Sequence, residues 1–387
     1  MHAPDELTFG VEEEYLLLDR ETGRPADRAA EIIRELPIPG DRADREFFSS
    51  QLETATAVCT RADEAEASLT EFRRAASRIA AAHGAVLAGT GLPPLGGDVA
   101  GTVTPKSRYR EIQATVRTAA AHQYGTGTHV HVAVPSRDAG VDVLARLARW
   151  SPALLALTAN SPLWCGEPTG FASWRHINAL QWPVTGYPPP FESGADYTRT
   201  ISELVASDIL IDPGLVTWVA RLSERYPTVE LRIADAQLAA ADAVDFALLA
   251  RALVSAALRE HEAGIRAPRL TPTTVDGAIW LAARDGLEGR LVDPLLGVAQ
   301  PAFDLVDRMR ESVTADLDAA GDLGRVTAYL ERRRRLGSPA RVQEARFADA
   351  GIAGLLDLYA AGSGRGAGAA EDPGPPDPSE RSGPSRG

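Results

Sequence analysis

Four short segments place chemically capable side chains two residues apart. Gly10-Val11-Glu12-Glu13-Glu14-Tyr15 pairs Glu12 with Glu14, and Gln51-Leu52-Glu53-Thr54 pairs Gln51 with Glu53. Gly127-Thr128-His129-Val130-His131-Val132 pairs two histidines, and Thr228-Val229-Glu230-Leu231-Arg232-Ile233 pairs Glu230 with Arg232. A strand turns residues i and i+2 to one face. Read as strands, the segments carry acidic, imidazole or arginine groups on one face and mostly apolar groups on the other. The plain reading is a sheet with one solvated face. Solvated faces, however, usually mix Lys, Thr, Ser and Arg, whereas converging Glu, His and Arg mark metal or catalytic sites. Crowded carboxylates repel and stay ionised near neutral pH only when cations hold them. Oxygen donors with imidazole suit Mg²⁺ or Mn²⁺ better than zinc. Arg232 adds a fixed planar cation, which suits a transferring phosphoryl group. The chemistry implied is that of a sheet-borne, metal-dependent site for a nucleotide.

The rest of the chain must position those strands. The 387 residues carry 53 acidic against 40 basic side chains, a net charge of −13, and Lys106 is the sole lysine. Lys106 follows Thr104-Pro105 and not a glycine run, so a Walker A loop is excluded. A Schiff-base enzyme would depend on Lys106 alone. The acidic charge argues against a nucleic-acid or anionic-lipid partner. Cys59 and Cys165 make no disulfide framework. The acidic start lacks a signal-peptide core, and no run approaches the ~18 apolar residues of a membrane helix. A cytoplasmic protein is expected, with homo-oligomerisation left open.

Strands are expected at 8–18, 50–58, 85–90 and 127–134, and as an antiparallel pair at 216–219 and 228–234. Helices are expected at 63–83, 105–122 and 141–160, and from 241 onward at 242–266, 273–286, 302–320, 322–336 and 341–360. Residues 161–195 read as a long loop holding Trp164, Phe171, Trp174 and Trp182. Such loops are usually functional or disordered, and the aromatics argue for function. Residues 5–361 read as one catalytic domain. Residues 362–387 read as a Gly/Pro/Ser-rich disordered tail, too poor in apolar side chains to offset the entropy of ordering. The run Arg332–Arg335 reads as structural or as a surface patch at a helix end.

The chain resembles the glutamate–cysteine ligase type 2, or carboxylate–amine ligase, family. The matching segments are Phe9–Tyr15, Gly127–Val132, Ser161–Trp164 with Thr169-Gly170 and Ser173-Trp174-Arg175, and Pro227–Arg232 with Asp235. They follow the family's order over about residues 5–360. The resemblance implies an α+β fold of the glutamine-synthetase-like ligases, with a curved, mainly antiparallel sheet and helices packed on its outer face. It implies ATP-dependent joining of an amino-acid carboxylate to an amine through an acyl phosphate, by default L-glutamate and L-cysteine. It further implies that Glu12, Glu14, Glu53, His129 and Glu230 hold Mg²⁺ or Mn²⁺. Arg232 faces phosphate, with Glu53 beside it in catalysis, and His131 lies on the nucleotide side. Arg175 is the candidate for the substrate carboxylate. Arg108 and Tyr109 match without an assigned role.

Three places depart from the family pattern. The acidic residue expected near Val219 is missing, a histidine expected after Arg221 is replaced by Ser223, and the Cys165–Pro168 turn differs. These departures bear on the substrate side. Two other readings compete: a metal-dependent amide or ester hydrolase using His129 and His131, and a catalytically silent nucleotide-binding member.

Overall fold

The computed structural model describes residues 7–38 and 42–364. Its strands are β1 (Phe9–Asp19), β2 (Ala43–Arg45), β3 (Gln51–Ala55), β4 (Ala85–Ala88) and β5 (Gly127–Ala133). They continue as β6 (Leu163–Trp164), β7 (Glu167–Pro168), β8 (Ala220–Leu222), β9 (Thr228–Asp235), β10 (Arg290–Asp293) and β11 (Val298–Pro301). The main sheet runs β2-β3-β1-β5-β9-β8, with β4 pairing the C-terminal end of β1. Every pairing in it is antiparallel. The fold is α+β, as expected, with helices packed against the sheet.

Register delivers the ionisable residues to their neighbours. Glu14 lies opposite Glu53, and Glu53 opposite Asp44. Glu12 lies opposite His129. Glu230 lies opposite His131 on one side and Arg221 on the other. The β5–β9 ladder contains a bulge: Thr128 pairs Ala234, but Val130 pairs Leu231. Two steps on β5 therefore oppose three on β9, leaving one extra residue on β9 beside His129.

From Phe9 to Leu17, the other face of β1 carries a single charged residue, Glu13. Glu13 accepts from Arg73 Nε at 3.0 Å, and Tyr15 donates its hydroxyl to the same carboxylate. Arg73 also donates to the carbonyls of Leu238 at 2.9 Å and Gln237 at 3.0 Å. Both charged side chains are only 1% exposed. Arg73 lies on the helix Ala62–Ala82, so this pair ties that helix to the sheet. The helix Ala240–Glu262 packs on β1 and β5. It is buried nearly all round through Val244, Phe246, Leu248, Leu249 and Leu253, as a helix apolar on every face must be.

Several boundaries differ from the sequence reading. The apolar stretch 141–160 is two helices, Arg137–Leu147 and Ser151–Thr158, with Pro152 in the first turn of the second. Proline suits that position but not a helix interior. The strand expected at 216–219 forms instead at Ala220–Leu222. The amides of Thr217 and Val219 are taken by the carbonyls of Val184 and Gly186, each at 3.0 Å. Helix 302–320 is divided into Ala302–Ser312 and Thr314–Ala319. The hairpin β10–β11 and the helix Gly194–Ala206 are additional to the elements expected from sequence. The last helix, Pro339–Gly364, extends past the expected start of the tail at 362 and kinks at Gly351. Residues 365–387 lie outside the described residues. No helix among the described residues is long and apolar enough to cross a membrane.

Breaking a buried ion pair on one side strands the other charge, at a cost of roughly 3–5 kcal/mol. Glu13→Ala is therefore expected to lower unfolding free energy by about that amount in denaturant titration. A loss under ~1 kcal/mol would show that the Arg73 network is dispensable.

Candidate active site

The polar faces of β1, β3, β5, β8 and β9 line a cavity of about 670 Å³. Glu12, Glu14, Glu53, His129, His131, Glu230 and Arg232 all border it, so the candidates chosen by spacing do converge. A second cavity of about 190 Å³ adjoins it, sharing Glu14, His129, Arg108, Tyr109 and Arg232. Arg175 borders only this inner cavity, together with Trp182, His176, Phe47 and Val219. The two chambers meet at Arg232.

One ligand atom from each of Glu12, His131 and Glu230 lies within 4.8 Å of the other two. His131 Nε2 is 3.3 Å from Glu12 Oε1 but lacks hydrogen-bond alignment, and it is buried without a partner among the described residues. Its Nδ1 faces Thr228 Oγ1 at 3.0 Å, which orients the ring. A buried imidazole nitrogen aimed between two carboxylates is a donor set able to hold a divalent cation. His131, expected on the nucleotide side, belongs to this convergent group. His129 lies deeper, with Nδ1 3.4 Å from both Glu12 Oε2 and Arg232 Nη1, and Nε2 3.8 Å from Glu14. Its Nε2 is also buried and without a hydrogen-bond partner among the described residues. Burial, then the Arg232 guanidinium, pushes His129 down to about 4. It is therefore a neutral ring able to donate a lone pair at neutral pH.

The carboxylates divide by partner. Burial opposes ionisation of Glu230, but Arg232 and Arg221 outweigh it and hold that carboxyl well below its usual range. Arg221 grips Glu230 with two hydrogen bonds, at 2.7 and 3.2 Å. Glu14 is the opposite case: burial, then the charge of Glu46, raises it to about 7. Burial also raises Glu53 well above its ordinary value, with Glu46, Glu14 and Glu12 adding to the effect. Like charges this close remain ionised together only if a cation joins them.

Several site residues escape the sequence reading. Glu46 follows β2, is raised by burial, and accepts from Tyr109 Oη at 3.0 Å. Asp44 on β2 pairs with Lys106 at 2.8 Å, and Lys106 also donates to the Arg45 carbonyl at 2.7 Å. Lys106 thus borders the outer cavity in a salt bridge. Arg108 is held by Asp212 through two hydrogen bonds, at 2.7 and 3.0 Å. Asp44 and Glu46 share the two-residue spacing of the other pairs, but they sit at a three-residue strand and its exit, too short to read as a strand from sequence.

Asp235 organises the aromatic loop. Its buried carboxylate accepts from Asn160 N at 2.8 Å, Ser161 Oγ at 2.7 Å and Ser173 Oγ at 2.9 Å. Ser173 also caps the short helix Trp174–Ala179. Arg175, on that helix, lies 3.6 Å from Asp235 and donates to the Arg232 carbonyl at 3.3 Å. The loop at 161–175 is thus a tied segment, not a free one. Of the departures, Val219 lines the inner cavity and Ser223 the outer one. Cys165 lies at the β6–β7 turn, where it and Gly166 both have positive φ.

Two outcomes are expected. Mg²⁺ or Mn²⁺ alone should raise the melting temperature of the wild type by relieving carboxylate repulsion, and Glu230→Gln should abolish the rise. An unchanged rise in the variant would remove Glu230 from the cation set. Asp235→Ala removes a charged acceptor of three hydrogen bonds and should cost about 2–4 kcal/mol in urea. It should also open residues 161–175 to limited proteolysis, and unchanged cleavage there would show that the loop is held elsewhere.

Known proteins share both the sequence pattern and the fold. The model of the glutamate-cysteine ligase family 2 matches residues 8–351. A relative from Salinispora arenicola named "Putative glutamate--cysteine ligase 2" is 40% identical over 359 residues, covering 92% of this chain and 94% of that one. A relative of the same name from Salinispora tropica is 39% identical over 340 residues, covering 88% and 90%. The glutamate–cysteine ligase of Francisella tularensis, solved in complex with AMP, superposes with a TM-score of 0.70 at 14% identity. The match covers 92% of this chain and 88% of that one. A bifunctional glutathione synthetase from Pasteurella multocida gives a TM-score of 0.54 at 17% identity, covering 92% of this chain and 52% of that one. These two solved structures show a shared fold. On the family match and the close relatives, the chain belongs to glutamate–cysteine ligase family 2.

Proposed function

We propose that the protein is an ATP-dependent carboxylate–amine ligase that joins L-glutamate to L-cysteine, releasing ADP and phosphate. The observation that carries this reading is the meeting of two chambers at Arg232. The outer one holds Glu12, His131 and Glu230 around a common point, and the inner one holds Arg175. A divalent cation bound there would neutralise the charge of the nucleotide phosphates. Glu12, His131 and Glu230 are the residues proposed to hold it, with Glu14, Glu53 and His129 extending the set along the cleft.

Arg232 lies at the junction, fixed by Glu230, with its guanidinium available to the transferring phosphoryl group. The substrate carboxylate takes the γ-phosphoryl group, ADP leaves, and an acyl phosphate remains. The amine then attacks the acyl carbon and phosphate departs. Arg175 holds the amino-acid carboxylate in the inner chamber, positioned by Asp235 and the backbone of β9. Glu53, opposite Glu14, completes the acidic wall of the outer chamber. The walls of Phe47, Trp182 and Val219 keep water from the acyl phosphate.

The test is release of ADP from ATP with Mg²⁺ present, which should need both a carboxylate and an amine substrate. Glu12→Ala and Glu230→Ala should each reduce kcat at least ~100-fold, as loss of a cation or transition-state charge partner does. Amide or ester hydrolysis without ATP would favour the hydrolase reading. That reading requires His129 and His131 to act alike, yet only His131 belongs to the convergent group.

A further inference from the structure

The last helix, Pro339–Gly364, borders neither chamber, yet one of its side chains joins the hydrogen bonds that hold the aromatic loop. Gln343 is 1% exposed. Its Nε2 has three acceptors in reach: Asn160 Oδ1 at 2.6 Å, the Asn160 carbonyl at 2.8 Å and Thr90 Oγ1 at 3.0 Å. Its Oε1 accepts from the Tyr359 hydroxyl at 2.5 Å, which sets the orientation of the amide. The Ala340 amide donates to the Ala159 carbonyl at 3.0 Å, so the start of the helix clasps residues 159 and 160.

Asn160 passes this hold on to Asp235. Its Nδ2 donates to the carbonyls of Gly89 at 3.0 Å and Ala236 at 2.6 Å, and its backbone amide donates to Asp235 Oδ2 at 2.8 Å. The Gly91 amide donates to the Asn160 carbonyl at 3.0 Å. A methyl group on Gly91 would lie 2.7 Å from Asp235 Cγ, so the chain presses directly on that carboxylate. Asp235 stands 3.6 Å from the Arg175 guanidinium at the inner chamber. Every polar group of Asn160 is thus engaged, and a fully satisfied buried network fixes one geometry. Without the Gln343 donor, the Asn160 peptide is free to turn, and Asp235 loses the amide that aims it at Arg175.

We propose that Gln343 is a positioning residue for the carboxylate substrate, setting Arg175 in the inner chamber through Asn160 and Asp235. This rests on the reading of Arg175 given above and goes beyond it, because it gives the last helix a part in substrate binding. No covalent bond forms or breaks along this relay.

The experiment is steady-state ADP release by the full-length protein with Mg²⁺, varying L-glutamate at saturating ATP and L-cysteine, and then varying ATP. Gln343→Met keeps the length of the side chain and removes the amide. It should raise KM for L-glutamate at least ten-fold, with KM for ATP within two-fold and kcat within three-fold of wild type. Ser363→Ala removes a 3.0 Å hydrogen bond from the same helix to the Leu87 carbonyl and should leave both KM values unchanged. A purely structural role predicts fewer active molecules, hence a lower kcat at unchanged KM, and that result overturns the assignment. An equal rise in both KM values overturns it too. If Gln343→Met does not fold, Gln343→Glu repeats the test, since it keeps the shape and the acceptor for Tyr359 but cannot donate to Asn160. Limited proteolysis separates this assignment from the ligase reading. Gln343→Met should open residues 161–175 to cleavage while the rest of the chain stays protected, and wild-type cleavage there overturns the relay. A wild type that releases no ADP overturns the ligase reading, and the relay is then decided by cleavage alone.

Discussion

Antiparallel register is the constraint on which the cleft depends. Each strand contributes only one to three ionisable residues, and none of these strands makes a site alone. Register sets Glu12 against His129, Glu14 against Glu53, and Glu230 between His131 and Arg221. A slip of one residue on any strand would turn its polar set into the core and its valines into the cleft. The buried apolar face is therefore what holds the charges in place. Val130, Val132, Val229, Leu231 and Ile233 are nearly or fully buried, and their burial specifies the register that the chemistry needs.

That arrangement works against the unloaded protein. Burial raises Glu14 and Glu53 while Arg221 and Arg232 keep Glu230 ionised, so neighbouring carboxylates differ in how readily they hold a proton. The same desolvation that penalises them strengthens their grip on a cation. On the reverse face, Glu13 meets Arg73 and is satisfied within the protein. Glu13 lies between Glu12 and Glu14 in sequence, yet it is structural while they border the cavity. The pleat alone makes that division.

Period-two alternation makes the strand faces legible, and by itself it marks all the residues of the convergent group. Helical periodicity likewise reveals the helix Ala62–Ala82 and most of those after Ala240. What stays hidden lies in elements too short or too distant in sequence to be recognised. Glu46 and Asp44 belong to a three-residue strand and its exit, and reach the cavity only because β2 pairs with β3. The strand β11 is largely exposed and β10 has only four residues, so neither shows a readable apolar stripe. The break near Trp150 depends on Pro152 being a first-turn residue, and the shift of β8 on Val184 and Gly186 claiming amides from afar.

The bulge on β9 bears on how this strand can change. In a regular strand Glu230 and Arg232 would face one way and Asp235 the other, because they differ in parity. The extra residue opposite His129 resets the count. Asp235 thereby meets Arg175, which lines the same inner cavity as Arg232. The cleft and the anchor of its aromatic loop are thus kept in phase by a single surplus residue. Within β9, side chains can be exchanged one at a time, but the number of residues between Arg232 and Asp235 is not free to drift.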